Sequence, residues 1–155
     1  MPQIMLDMGE PMVVNDTEVG NAAKHPNRIE DIQLVRFYLN ITRNMDRPPN
    51  GSNHAPDRDV MTEDADLVGR IFQFQLREAR NLRGSGHYVT ADGKVSVPKS
   101  SGGSLSYGAG LYTIRQLAST WEIYKAINGL SPGLRMSQHN ACGALLRTWL
   151  IQRGF

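Results

Sequence analysis

The residues best suited to hold a metal or act as a nucleophile are four histidines and one cysteine. His25, His54, His87 and His139 form no pair at the spacing that puts two imidazoles on one helix face. Cys142 is the single cysteine, which excludes an intrachain disulfide framework and a multi-cysteine metal site. Asp57, Asp59, Glu63, Asp64 and Asp66 cluster, but Arg58 intervenes and no glycine follows Asp59 before Gly69. A calcium loop needs alternating oxygens, a central glycine and a distal glutamate. The cluster therefore reads as a polar loop leading into a helix start. Nothing pairs Asp57 or Asp59 with Asp92 as facing acids of a glycosidase. Gly84-Ser85-Gly86 reads as a flexible break after an arginine-rich helix end, not a nucleophile elbow. Gly102-Gly103 and Gly108-x-Gly110 lack the preceding strand and following Lys-Ser/Thr of a phosphate cradle. These readings favour a protein that is not an enzyme and carries no metal or cofactor.

Two constellations suit binding rather than catalysis. Arg70, Arg77 and Arg80 lie along one helical side, and Arg83 extends the row. Such a row suits a phosphate- or carboxylate-bearing partner, although a solvated helix face has the same pattern. Tyr88, Tyr107 and Tyr112 flank a Gly/Ser loop and suit a stacking platform for sugar, although tyrosines at the edge of a core look the same.

The 155 residues are one domain's worth of chain. Lys and Arg number 17 against 15 Asp and Glu, a net charge of +2. That balance excludes a strongly basic nucleic-acid binder and an acidic disordered tail. Only four of the 17 basic residues are lysines, so this is not a lysine-rich solubility surface. No apolar run reaches the roughly 18 residues of a transmembrane helix, so no membrane insertion is expected. The opening MPQIMLDMGEPM lacks a basic start and a continuous apolar stretch. It is not expected to be a secretory signal, which implies cytoplasmic synthesis.

The elements that must position these residues follow from periodicity. Residues 1–26 read as an extended arm, with Pro11-Met12-Val13-Val14 as a short strand. A first helix is predicted over 28–43, with Asn27 as cap and Glu30 at capping-box spacing. A second starts at Thr62, with Leu67, Val68, Ile71, Phe72, Phe74 and Ala79 on its buried side. Asp92-Gly93 predicts a type I′ hairpin joining 87–91 to 94–97. A loop over 98–110 follows. Thr113 and Gln116 predict a capping box for a third helix, closed by Asn128-Gly129. A last helix is predicted over 137–152, with a stripe of Ala141, Ala144, Leu145, Thr148 and Trp149. The expected fold is mainly α, a compact bundle of about four helices with one hairpin and an N-terminal arm.

Asp31-x-Gln33-Leu34-Val35-x-Phe37-x-Leu39 resembles the opening helix of peptidoglycan-binding-like domains. Ile71-Phe72-Gln73-Phe74-Gln75 resembles the Phe-Gln end of that family's next helix. Asp92-Gly93-Lys94-Val95 and Tyr112-Thr113-Ile114-Arg115-Gln116-Leu117 resemble its later Asp-Gly and Thr-Ile-x-x-Leu segments. The match covers roughly Ile29 to Ile127. The family's Asp-Gly and Phe-Gly before its second helix are replaced here by Asp57-Arg58-Asp59-Val60-Met61. The resemblance implies a small helical scaffold over 27–130, non-catalytic and wall-binding, with the C-terminal helix of 131–155 as an extension. It also implies a glycan groove near Gln75, Tyr88, Tyr107 and Tyr112.

Two functions stay open at this point, with a third behind them. The favoured one is a non-enzymatic structural or adaptor subunit in a larger assembly, such as a phage virion. Its neighbours would contact the arm and tail through Ile4, Met5, Leu6, Met12, Val13, Trp149, Ile151 and Phe155. Deleting Met1 to Gly20 is then expected to abolish assembly while leaving the domain folded. The alternative is a stand-alone peptidoglycan recognition protein. The third is an immunity or regulatory protein that binds one partner.

Overall fold

The computed structural model describes residues 1–20, 28–46, 58–99 and 103–155. It contains β1 (Gln3–Asp7), β2 (Glu10–Val14), β3 (Val19–Gly20), α1 (Ile29–Asp46), α2 (Ala65–Asn81), β4 (Lys94–Val95), β5 (Ser106–Tyr107), β6 (Gly110–Leu111), α3 (Thr113–Ile127) and α4 (Ala144–Ile151). A 3-10 turn, Met136–Gln138, precedes α4. The strands form three two-stranded antiparallel sheets, β1-β2, β3-β4 and β5-β6. The fold is therefore mixed, four helices with small sheets, rather than a clean helical bundle.

Helix α1 is the axis of the molecule. Every residue from Asp31 to Thr42 is buried, the state of a helix enclosed on all sides. Its apolar positions Leu34, Val35, Phe37, Tyr38 and Ile41 join Leu117, Trp121, Leu146 and Trp149 in one core. Its polar positions each hold a different surrounding element, as buried polar groups must find partners. Asp31 accepts from the Asp16 and Thr17 amides at 3.1 and 3.0 Å and from the Thr17 hydroxyl at 2.8 Å. Gln33 Oε1 accepts from the Leu146 amide at 2.9 Å, in the first turn of α4. Arg36 donates to the Thr62 carbonyl at 2.9 Å and meets the Asp64 carboxylate at 3.3 Å. Asn40 accepts from Arg70 of α2 at 2.7 Å.

The N-terminal residues are not an extended arm. They fold as the β1-β2 hairpin, in register from Gln3 opposite Val14 to Asp7 opposite Glu10. Val13, Val14 and Val19 are core residues, and the Tyr38 hydroxyl donates to the Val13 carbonyl at 3.0 Å. Asp7 is held at the far side by the Leu105 amide at 2.9 Å and the Arg115 guanidinium at 2.7 Å. The Leu105 amide and Arg115 pull its carboxyl below the usual range against the opposing effect of burial. Removing residues 1–20 would take Val13, Val14 and Val19 out of the core, so the truncated chain is expected to lose its fold, read by circular dichroism.

Helix boundaries differ from expectation for local reasons. Asn27 lies outside the described residues. Asp64, not Thr62, caps α2, its carboxylate accepting from the Leu67 amide at 2.7 Å. Phe72 is exposed rather than buried. Thr113 is the first residue of α3 and not its cap, because Gln75 takes its hydroxyl as an acceptor at 3.0 Å. Gly129, at φ +62°, closes α3 as expected.

The predicted last helix is broken into the 3-10 turn and α4. His139 Nδ1 accepts from the Ala141 amide at 3.1 Å, which diverts the chain between them. Asp59 Oδ1 then accepts from the Ala144 amide at 2.7 Å at the start of α4. The buried stripe shifts accordingly to Leu146, Trp149 and Leu150, leaving Ala144, Leu145 and Thr148 exposed. Gly143 is required at this junction by close packing. A Cβ there would lie 2.2 Å from the Arg58 carbonyl and 2.6 Å from Gln33 Oε1. Gly143→Ala is expected to destabilise the protein by about 2–3 kcal/mol through overpacking, read by urea denaturation.

His139 gives the fold a pH dependence. It stands edge-on to Phe37, Trp121 and Tyr124, with the Tyr124 hydroxyl 3.3 Å from Nε2. Burial lowers its pKa from 6.5. Below about pH 6.5 the unfolded chain therefore binds a proton that the folded chain refuses. Stability is expected to fall as pH drops from 6.5 toward the carboxylate range. His139→Asn, which keeps an acceptor for the Ala141 amide, should flatten the fall in Tm over that interval.

Candidate functional site

Three surfaces gather the binding residues read from the sequence. The first is the N-terminal hairpin and the groove beside it. Ile4 and Leu6 point outward from β1 and are exposed, as are Met1 and Met8. Met8 is 76 % exposed at the hairpin turn, and it holds φ +52° beside Gly9 at +87°. Two positive φ values are the demand of a type I′ turn. Asn, Asp or Gly ordinarily meets it, so an exposed methionine there is a strained choice. Strand β2 and α3 wall an apolar groove of about 630 Å³, lined by Met12, Val13, Trp121, Ile123, Met136 and Phe155 among others. The Phe155 amide donates to the Leu150 carbonyl at 3.1 Å, so the tail folds back on α4.

Of the residues expected to contact neighbours, Ile4, Leu6 and Ile151 are exposed, and Met5, Met12 and Phe155 are half-buried. Val13 and Trp149 are corrected: both are core residues, at 2 % and 5 % exposure. Sequence reading missed Ile123 and Ile127, which are exposed on α3. Their four-residue spacing, off the Ile114–Leu117–Trp121 face, was the available signal.

The second surface holds the tyrosines. The expected hairpin over 87–97 does not form. Lys94 and Val95 pair instead with Gly20 and Val19. Tyr88 bridges to Gly110, its amide donating to the Ala109 carbonyl at 3.2 Å and its carbonyl accepting from Leu111 at 2.8 Å. This brings the Tyr88 and Tyr107 rings to 6.0 Å and the Tyr107 and Tyr112 rings to 4.9 Å, both edge to face. Tyr107 and Tyr112 border a recess of about 120 Å³ rimmed by Thr90, Asp92, Lys94 and Ser96.

Gln75 supports this recess from below and is not part of its surface. Its side-chain carbonyl accepts from the Asp92 and Gly93 amides at 3.0 and 2.8 Å. Its amide donates to the Lys94 carbonyl at 2.9 Å and to Thr113. With every polar atom used internally, Gln75 orders the Asp92 turn rather than a ligand. The rim residues were missed because only the Gln75 network places them beside tyrosines distant in sequence. Gly110 sets the Tyr107 ring, since a Cβ there would lie 2.1 Å from it. Gly110→Ala is expected to displace Tyr107 and spread the cluster, read as loss of the cross-relaxation between the Tyr107 and Tyr112 rings in NMR.

The third surface is a groove of about 790 Å³ between α1 and α2 that Arg70, Arg77 and Arg80 line. Arg83 lies beyond that lining. Among the described residues no cluster of histidine, cysteine or acidic side chains is arranged to hold a metal ion. Cys142 is buried, and burial pushes its thiol up to about 12. Among the described residues no helix is long and apolar enough to cross a membrane. The chain matches no family model, no curated protein and no solved structure.

Proposed function

We propose that this protein is a non-enzymatic structural or adaptor subunit of a larger assembly, such as a phage virion, and docks to a protein neighbour through its N-terminal hairpin. One observation carries this reading: apolar side chains are displayed on β1 and its strained turn, on a hairpin whose other strand is rooted in the core. Exposed apolar surface on a rigid element suits protein contact, and methionine adapts to irregular surfaces. The test is Ile4→Lys with Leu6→Lys. Both side chains are exposed, so Tm should hold within about 2 °C, while co-sedimentation with the native assembly is lost. Retained co-sedimentation at wild-type levels would contradict the reading.

The tyrosine cluster favours a second reading, recognition of cell-wall peptidoglycan. Aromatic faces beside hydroxyl and carboxylate groups suit a sugar, which is apolar on its ring faces and polar at its edges. Saturable binding to isolated sacculi that persists at moderate salt, and that Tyr107→Ala abolishes, would favour it over docking. Binding lost on charge screening would count against it.

A further inference from the structure

Strand β2 carries a proline at its second position. Pro11 has no N–H, so Leu6 opposite Pro11 cannot be a pair that exchanges two ladder hydrogen bonds. Such pairs alternate along an antiparallel ladder. Ile4 opposite Val13 is therefore also unbonded, while Asp7–Glu10, Met5–Met12 and Gln3–Val14 carry the bonds. The backbone groups of Pro11 and Val13 then point away from β1, toward the groove that β2 and α3 wall. The Val13 carbonyl does so visibly: it accepts from the Tyr38 hydroxyl at 3.0 Å, and Tyr38 lines that groove. Among the described residues the Val13 amide and the Pro11 carbonyl have no hydrogen-bond partner. Val13 is 2 % exposed, and a buried amide without a partner is rare in a folded protein.

One donor and one acceptor, two residues apart on a sheet edge, fit a parallel strand. A single residue opposite Met12 donates its N–H to the Pro11 carbonyl and accepts from the Val13 amide. The Pro11 nitrogen ends the ladder on one side, and the Tyr38 hydroxyl on the Val13 carbonyl ends it on the other. Trp121 and Ile123 give the groove an apolar wall on α3. Of its charged lining residues, Glu122 and Lys125 pair with each other at 2.9 Å. Glu10 stands at one end of β2. Arg135 stands at the other, beside Met136, whose sulfur lies 3.7 Å from the Tyr38 hydroxyl. Both are exposed, and neither is in an ion pair among the described residues.

We infer that this groove takes an extended apolar segment of a partner protein as a third strand, parallel to β2, with a basic residue beside Glu10 and an acidic one beside Arg135. Main-chain hydrogen bonds to a sheet edge supply affinity in such an addition, and the flanking side chains supply specificity. The two end charges set the direction in which the segment runs. A second copy of this chain is disfavoured as occupant, because its own β2 edge is walled by its own α3. Capture of such a segment rests on the reading of the chain as a docking subunit and adds what a neighbour inserts. It uses the β2 edge rather than the outward Ile4 and Leu6.

The probe is the pentapeptide Lys-Val-Val-Val-Asp, acetylated and amidated, titrated into the full chain labelled with nitrogen-15 and followed by NMR. Its central valine is the residue set opposite Met12. Saturable shifts are expected, with the Val13 amide moving downfield as it gains an acceptor. Methylating the nitrogen of the central valine removes the donor to Pro11 and should weaken binding at least tenfold. The reversed sequence Asp-Val-Val-Val-Lys should bind at least fivefold more weakly. Ile123→Lys, at an exposed position, should weaken binding tenfold without lowering Tm. Absence of saturable shifts would overturn the inference, as would equal binding of the methylated or the reversed peptide. Shifts confined to Ile4 and Leu6 would overturn it by moving the peptide to the outer strand. A concentration-dependent dimer in sedimentation velocity that the peptide disperses would put a second copy in the groove and overturn the assignment. The titration needs no native assembly, so it can fail while the Ile4→Lys with Leu6→Lys co-sedimentation result still stands.

Discussion

Gln75→Leu is expected to lower stability by about 3–4 kcal/mol, read as a drop in the urea midpoint with an unchanged slope. Leucine fills nearly the same volume, so little of this loss comes from a cavity. It comes from stranded partners. The amides of Asp92 and Gly93, the carbonyl of Lys94 and the hydroxyl of Thr113 all bond to this one fully buried side chain. Each stranded polar group costs about 1–3 kcal/mol if it stays dry, and less where water reaches it, as at Asp92. Gln75→Glu keeps the acceptors for Asp92 and Gly93 but sets a buried carboxylate against the Asp92 carboxylate and the Lys94 carbonyl, to which the Gln75 amide donates at 3.2 and 2.9 Å, so its loss should be at least as large. Either change should also disturb the tyrosine recess, because Asp92, Lys94 and Thr113 line it.

The second large effect is expected at Asp31. Asp31→Ala should cost about 2–4 kcal/mol, measured the same way. Its carboxylate has no exposure and receives the Asp16 and Thr17 amides and the Thr17 hydroxyl. It joins the segment after β2 to the start of the central helix. Burial pushes its pKa up, against the pull of those hydrogen bonds. A charge held at such a cost does not favour the fold as strongly as its bond count suggests, and Asp31→Asn should lose distinctly less than Asp31→Ala. The alanine variant should also loosen the hairpin, seen as faster amide hydrogen exchange in residues 3–14 while α3 stays protected.

These two residues show what the sequence made legible. The 3.6-residue period located α1, α2 and α3 well, because Leu34, Phe37 and Ile41, or Ile114, Leu117 and Trp121, repeat on a buried face. The period says nothing of Asp31, Gln33, Arg36 and Asn40, polar residues of the same helix that are all buried. Each reaches a partner 15 to 113 positions away in the chain. Periodicity records polarity and cannot see partners at that distance.

Asp92-Gly93 failed as a hairpin for a related reason. The local turn signal was sound, and Gly93 does hold φ +73°. Gln75 takes up the turn's amides, and β3 takes up the strand that follows. The hairpin that did form turns on Met8-Gly9, where methionine hides the signal that Asn-Gly would have carried. The candidate surfaces were legible in part. The arginine row and the tyrosines could be named, but the groove and recess that gather them arise from packing across elements.

The most direct test of the docking surface is site-specific photo-cross-linking in the cells that make this protein. A photoreactive phenylalanine analogue replaces Leu6 on the outer strand, or Gln152 beyond α4 as the control position. Both are exposed. A single, discrete protein adduct from position 6, absent at position 152 and lost when Ile4→Lys is added, is the predicted result. No adduct from position 6, or the same adducts from both positions, would contradict the hairpin as the docking surface.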